Sequence, residues 1–91
     1  MLYTCNKIIN DTTILNSIQS TDNLILLEDG VYNLSHTDFI RHVNNLNNIT
    51  VYVIDIDYAA RNITRTTIPM TIITYDTFVA YCIKHSKICQ L

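Results

Sequence analysis

Cys5 is the first residue of this 91-residue chain whose side chain could carry out group transfer. It follows residues 2–4, which suit a first strand, and a thiolate there could carry sulfur or attack a disulfide. Only Lys7 lies near enough in sequence to lower the pKa of this thiol, and there is no Cys-x-x-Cys pair. We interpret Cys5 as a small apolar residue that ends a strand, and keep an active sulfur carrier as the alternative.

A second group of possible ligands lies near the C-terminus. Cys82, His85 and Cys89 are spaced by three and four residues, which a continuous helix would place on one side. That spacing would suit a metal ion. Cys82 also falls within an apolar set with Phe78 and Ile83, so we interpret it as a packed core thiol and expect no metal site.

Asp55 and Thr74 each follow an apolar run, as the phosphoacceptor and its helper do in a response-regulator receiver domain. A receiver also needs an acidic pair after its first strand, where this chain has Cys5 and Asn6. It needs a lysine after a fifth strand as well, and none is found there. Two helix caps are therefore the favoured interpretation of Asp55 and Thr74.

Gly30 is the only glycine, and this excludes the common phosphate-binding loops. Dinucleotide and P-loop sites need several glycines so that backbone amides can approach phosphate. We therefore expect no nucleotide and no other cofactor. Glu28 and Asp29, directly before Gly30, are interpreted as residues that shape a turn.

The composition indicates a partly covered surface. Charged residues are 15% of the chain and hydrophobic residues 48%, against about 25% charged residues in ordinary soluble domains. Because interface cores are depleted in charge, a partner subunit is the simplest cover. A mutational bias toward Ile, Asn and Tyr is the alternative explanation.

The charge distribution and the apolar stretches bear on nucleic-acid binding, membrane insertion and cellular location. The net charge is −2 and the six Lys and Arg residues are dispersed, so we expect no direct nucleic-acid binding. No apolar stretch approaches the roughly 20 residues of a membrane span. The N-terminus has no signal-peptide pattern, and the number of cysteines is odd. Both observations favour a cytoplasmic protein with free thiols.

The apolar runs predict the strands that must position these residues. Residues 24–27, 51–54 and 68–74 are rich in branched side chains without polar alternation, which is typical of parallel strands buried on both faces. Residues 2–4 suit a fourth strand. Pro69 lacks an amide donor, so the last of these strands should lie at an edge or have Pro69 at its entrance.

Helical patterns separate these strands. Asp11 and Thr12 can cap a helix at Ile14, and Ser35 a helix containing Phe39 and Val43. We expect one or two turns over 57–63. Thr74 can cap a last helix, whose core side we predict to be formed by Phe78, Val79, Cys82 and Ile83. The alternation predicts one domain over 1–91, a small doubly wound α/β fold with a mainly parallel sheet of four to five strands flanked by helices.

Four segments, in order along nearly the whole chain, resemble the TusB/DsrH family of sulfur-relay proteins. They are MLYT with Asn6 and Lys7 at the start, LILLEDGV at 24–31, VYV with DYAARNI at 51–63, and YDTFV at 75–79 followed by Lys84 and His85. The resemblance implies a DsrE/F/H-like fold. It also implies a subunit of a TusBCD-type heterohexamer, a dimer of heterotrimers with TusC-like and TusD-like partners. That complex passes persulfide sulfur toward 2-thiolation of the wobble uridine of tRNA.

The resemblance places no catalytic residue on this chain. In the family the transferring cysteine belongs to the TusD-type subunit, and some DsrH-type members carry a cysteine in the first helix. Residues 14–18 here read ILNSI, without cysteine. Two further departures are Asn62 where glycine is usual and Leu91 where the family tends to end in tryptophan. We therefore expect a non-catalytic subunit of a sulfurtransferase complex.

Overall fold

Five parallel strands form one sheet in a computed structural model that describes residues 1–63 and 66–91. The elements in chain order are β1 (Leu2–Cys5), α1 (Thr12–Ser17), β2 (Asn23–Leu26), a 3-10 segment (Glu28–Ser35), α2 (Thr37–Asn44), β3 (Thr50–Ile54), α3 (Asp55–Ala60), β4 (Thr71–Ile73), α4 (Tyr75–Lys84) and β5 (Ile88–Gln90). The strand order is β4-β3-β2-β1-β5. The predicted α/β class and four strands are confirmed, and Pro69 precedes the edge strand β4. The fifth strand, β5, pairs with β1 at Leu2 and Ile88.

The central strand β2 is buried on both faces, which explains its unbroken apolar run, whereas the edge strands β4 and β5 are largely exposed. Leu24 and Val51 lie side by side on one face, whereas Ile25 and Ile54 belong to a separate cluster on the other. Connections from β1 through β4 all progress in one direction, and the connection to β5 returns across the sheet. Right-handed crossovers then require helices on both faces. The fold is doubly wound, as predicted.

The first face carries the larger core. Its buried side chains come from the strands, the 3-10 segment, α1, α2 and the loops: Cys5, Ile9, Leu15, Ile18, Leu24, Leu26, Val31, Leu34, Phe39, Val43, Val51, Val53 and Ile68. Phe39 is fully buried, as its spacing with Val43 predicted.

The second face is covered by α4, and the core side predicted for this helix is right for Phe78 but wrong for Val79 and Ile83. Phe78 and Tyr81 pack on the sheet, and the Tyr81 ring lies 5.2 Å from that of Tyr52. Val79 is 52% exposed and Ile83 81% exposed, although both were predicted on the core side. Because α4 is apolar on two sides, periodicity alone could not decide which side packs on the sheet.

Side-chain caps explain where α1 and α4 begin, but the cap predicted for α2 is wrong. The Asp11 carboxylate accepts from the Thr13 amide at 2.8 Å, and the Thr74 hydroxyl accepts from the Thr77 amide at 3.2 Å. Ser35 does not cap α2 as predicted, because it ends the 3-10 segment and its hydroxyl donates to the Tyr32 carbonyl. The helix predicted over 57–63 is α3, which instead begins directly after β3.

Within residues 1–63 and 66–91, none of the helices has the length and apolar character needed to cross a bilayer.

Candidate functional site

Thiol, carboxylate and phenol side chains lie together at the carboxyl edge of the sheet. Parallel strands end at the same edge, and α/β folds place their sites there. Cys5 ends β1, the turn at Glu28 follows β2, Asp55 follows β3, and Tyr75 begins the helix after β4. These residues form two adjoining groups, one around Cys5 and one around Asp57.

Cys5 lies inside the protein with no exposed surface. Its Sγ donates to the Lys7 carbonyl at 3.0 Å and accepts from Asn33 Nδ2 at 3.5 Å. Burial raises the pKa of the Cys5 thiol, and this effect outweighs the hydrogen bonds and the Lys7 charge, which act in the opposite direction. Cys5 therefore favours the unreactive thiol form.

Asn33 holds the loop over Cys5 in place. Its Nδ2 also donates to the carbonyls of Lys7 and Gly30, each at 2.9 Å, while its Oδ1 accepts from the Ile9 amide at 2.9 Å. Asn33 is itself completely buried. Since a buried polar group must be paired, this one side chain fixes the path of residues 7–9 across the end of β1.

Gly30 brings the 3-10 segment against the end of β1. A Cβ at this position would lie 2.0 Å from the Cys5 carbonyl oxygen and 2.7 Å from its carbon. The Cys5 oxygen also accepts from the Leu27 amide at 3.0 Å. The single glycine is therefore required for close backbone packing.

Asp57 is the centre of the second group. It is 9% exposed, and its Oδ2 accepts from the Tyr75 hydroxyl at 2.8 Å and from the Glu28 amide at 2.9 Å. Glu28 has a left-handed backbone with φ of 50°, uncommon for a residue other than glycine. Asp57 thus joins the turn after β2 to the start of α4, and Glu28 and Asp29 form the turn predicted for them.

Arg61 completes this group from the end of α3. Its Nε and Nη2 donate to Asp29 Oδ1 at 3.2 and 3.1 Å, and its Nη1 lies 3.7 Å from Asp57 Oδ1. The guanidinium carbon lies 5.9 Å from the centre of the Tyr32 ring. One arginine therefore balances two carboxylates and also contacts an aromatic face.

The group around Asp57 is arranged to hold backbone segments together. Both carboxylate oxygens of Asp57 are engaged, and the hydrogen bond to Asp57 is the main cause that raises the pKa of Tyr75 to about 12. Tyr75 is therefore a hydrogen-bond donor at neutral pH and a poor nucleophile. Sequence reasoning missed this group, although Asp57 and Arg61 have the i, i+4 spacing of a helical ion pair.

The residues considered as a phosphoacceptor pair or as metal ligands do not come together in the part of the chain that the structure describes. Thr74 caps α4, and Asp55 Oδ1 accepts from the neighbouring Ile56 amide. Because α4 ends at Lys84, the continuous helix that would align Cys82 with Cys89 does not form. Among the residues the structure describes, no three His, Cys, Asp or Glu side chains are grouped to hold a metal ion.

The structure explains one of the two departures from the family pattern and shows the surroundings of the other. Asn62 follows the end of α3 with a φ of 57°, a left-handed conformation that glycine and asparagine adopt more readily than other residues. Leu91 packs against the first core, and its amide donates to the Thr4 carbonyl at 2.8 Å.

Comparison with known proteins agrees with this geometry. A family model described as DsrH-like protein matches residues 9–88. The solution NMR structure of protein Tm0979 from Thermotoga maritima has a similar fold, with a TM-score of 0.55 and 22% sequence identity over 96% of this chain and 97% of that one. No curated protein gives a significant match. Since the family model spans the chain from the loop after β1 into β5, this chain is a member of the DsrH-like family.

Proposed function

We propose that this chain is a non-catalytic subunit of a TusBCD-type sulfur-relay complex. DsrH-like membership associates it with sulfur relay. The observation that carries the non-catalytic role is the burial of Cys5, the one cysteine at the carboxyl edge of the sheet. A sulfur carrier has to meet its donor and its acceptor, and a fully buried thiol with a raised pKa meets neither.

The proposed partners are TusC-like and TusD-like chains in a cytoplasmic heterohexamer, a dimer of heterotrimers. Sulfur would pass through the TusD-like subunit toward 2-thiolation of the wobble uridine of tRNA. A charge-poor chain whose last long helix exposes Val79 and Ile83 fits a subunit with covered surfaces. The net charge of −2 favours contact with tRNA through other components of the pathway.

An active sulfur carrier through Cys5 is the alternative function, and the position of Cys5 at the end of β1 favours it. Sulfur transfer would then require residues 7–9 and Asn33 to move away from the thiol. Persulfide trapping followed by mass spectrometry separates the two functions. The subunit function predicts no persulfide on Cys5 in the assembled complex, whereas a persulfide there supports the carrier.

Deletion and rescue test the proposed function itself. Cells without this chain should lose wobble-uridine thiolation, and the affinity-purified chain should bring two related small α/β chains with it. A Cys5→Ser variant should rescue thiolation, because a serine hydroxyl can keep the hydrogen bond to the Lys7 carbonyl. Normal thiolation in the deletion strain, or a chain that purifies without those partners, would contradict the proposal.

A further inference from the structure

Strand β4 lies at one edge of the sheet. It pairs with β3, and in the part of the chain that the structure describes no strand lies on its other side. An edge strand directs the N–H and C=O groups of alternate residues away from its neighbour. Among residues 1–63 and 66–91, no backbone group outside this ladder hydrogen-bonds to the backbone of residues 70–73. The outer side of β4 therefore offers main-chain donors and acceptors to a further strand.

The side chains of β4 do not protect this edge with charge. Proteins commonly guard an exposed edge strand with lysine or another charged residue, because its free backbone groups attract other strands. Residues 66–75 contain no charged side chain, and Ile72 is 52% exposed. The opposite edge of the sheet differs, since Lys84 and Lys87 directly precede β5. The chain therefore carries charge beside one edge of its sheet and leaves the other uncharged.

A recess of about 210 Å³ lies at the entrance of β4. It is formed by the beginnings of β3 and β4 and by the residues just before them: Ile49, Thr50, Val51, Pro69, Met70 and Thr71. Met70 is half-buried there, and its flexible thioether can adapt to apolar groups of different shapes. A segment extended along β4 could therefore place one apolar side chain in this recess.

We propose that the outer edge of β4 is a strand-addition site, which binds an extended, uncharged segment of a partner protein. Main-chain hydrogen bonds to residues 71–73 supply the affinity, and the recess beside Met70 selects an apolar side chain. An uncharged segment fits best, because residues 66–75 offer no charge to pair with a charged one. The inference goes beyond the proposed function and does not rest on it.

The length of β4 favours a flexible segment over a second copy of this chain as the occupant. Three residues of strand span about 10 Å, at about 3.3 Å per residue. Pairing two such edges would bury far less than the roughly 1,200 Å² of a stable interface between folded chains. A flexible segment can continue past the strand into the recess at Pro69 and Met70, and so gains contacts that a rigid edge would not make.

Titration of the isotope-labelled full chain with a capped peptide, Ser-Val-Thr-Ile-Thr-Ser, tests the site by amide NMR. The amide shifts should change mainly at residues 70–73 and around the recess, with a dissociation constant of about 1 mM or below. Ile72→Lys should weaken binding at least about ten-fold, because it places a charge on the edge. Ile83→Lys makes the same change on the exposed side of α4 and should bind the peptide as the wild type does.

N-methylated peptides separate strand pairing from apolar contact. Methylating alternate amides in one register removes the donors that face β4 and should abolish binding, whereas methylation in the other register should leave it intact. Circular dichroism should show that both lysine variants are folded. The proposal is overturned if no shifts appear up to about 5 mM peptide, or if both methylated peptides bind equally well. Shifts at β4 that follow the concentration of the chain alone would identify a second copy as the occupant and would overturn it as well.

Discussion

Few side chains can be accommodated at the end of β1, because the Gly30 backbone, the Cys5 thiol and the Asn33 side-chain amide are packed together there. Gly30 touches the Cys5 carbonyl, and Asn33 hydrogen-bonds across the same loop. The Cys5 thiol is itself completely buried. Single-residue changes in this region should therefore affect folding, with little direct effect on chemistry.

Gly30→Ala should lower the free energy of unfolding by about 3 kcal/mol or more, as severe overpacking does. The added Cβ would lie 2.0 Å from a backbone oxygen, and neither backbone segment can move without breaking the hydrogen bond between Leu27 and Cys5. Urea denaturation measures this loss. Ser35→Ala, in the same 3-10 segment, should change stability by less than about 1 kcal/mol. Equal stability of the two variants would refute the close approach.

Cys5 should resist alkylation in the folded chain. The reactive species is the thiolate, which burial disfavours by raising the pKa of Cys5, whereas Cys89 is exposed. Peptide mass spectrometry after iodoacetamide treatment should show Cys5 modified at least about 100-fold more slowly than Cys89. In urea the two rates should become similar. Rapid labelling of Cys5 in the folded chain would contradict the structure.

Tyr75 should ionise at about pH 12, against about 10 for a free tyrosine. The difference between the alkaline absorbance titrations of the wild type and Tyr75→Phe isolates this phenol. Because the folded state favours protonated Tyr75, its contribution to stability is intact below about pH 10 and is lost as the pH rises through about 12. Asp57→Ala removes the acceptor and should return the pKa of Tyr75 toward the ordinary value, and an unchanged pKa would rule out the hydrogen bond as its cause.

At the scale of elements, sequence patterns predicted more of the strands than of the helix orientations. Buried runs such as 51–54 identify a strand whichever face it presents. Strand β5 was missed because residues 88–90 form a short exposed edge strand with no apolar run. The outward position of Ile83 depends on the packing of Phe78 and Tyr81 against the sheet, a tertiary contact that periodicity does not encode.

The candidate site was predictable only in outline. Strand ends placed Cys5, Glu28 and Asp55 at one edge of the sheet. However, the burial of Cys5 depends on Asn33, which is 28 residues away in sequence. The role of Asp57 likewise depends on contacts with Glu28 and Tyr75, which are brought together by folding.

The cap of α4 gives a prediction at the element scale. Thr74→Ala removes the hydroxyl that accepts from the Thr77 amide, and should lower the free energy of unfolding by about 1 kcal/mol. Thr74→Ser keeps the hydroxyl and should retain most of that stability. Thermal unfolding of both variants measures the difference. If alanine and serine were equally stable, Thr74 would not act as a cap.

In the molecule as a whole, the thin cover of one sheet face and the low charge are the features that led us to propose assembly with partner subunits. One face of the sheet has α4 as its helical cover, and α4 has no fully buried residue. Charged residues are 15% of the chain. A domain of this kind is stabilised when neighbouring subunits cover its apolar surface.

A cysteine-free chain tests whether this subunit supports sulfur relay without carrying sulfur. The variant combines Cys5→Ser, Cys82→Ala and Cys89→Ser, and wobble-uridine thiolation is measured in cells that lack the wild-type chain. We predict thiolation at the wild-type level, with the partner subunits still bound. Loss of thiolation by a folded, fully assembled cysteine-free variant would show that a cysteine of this subunit takes part in sulfur transfer.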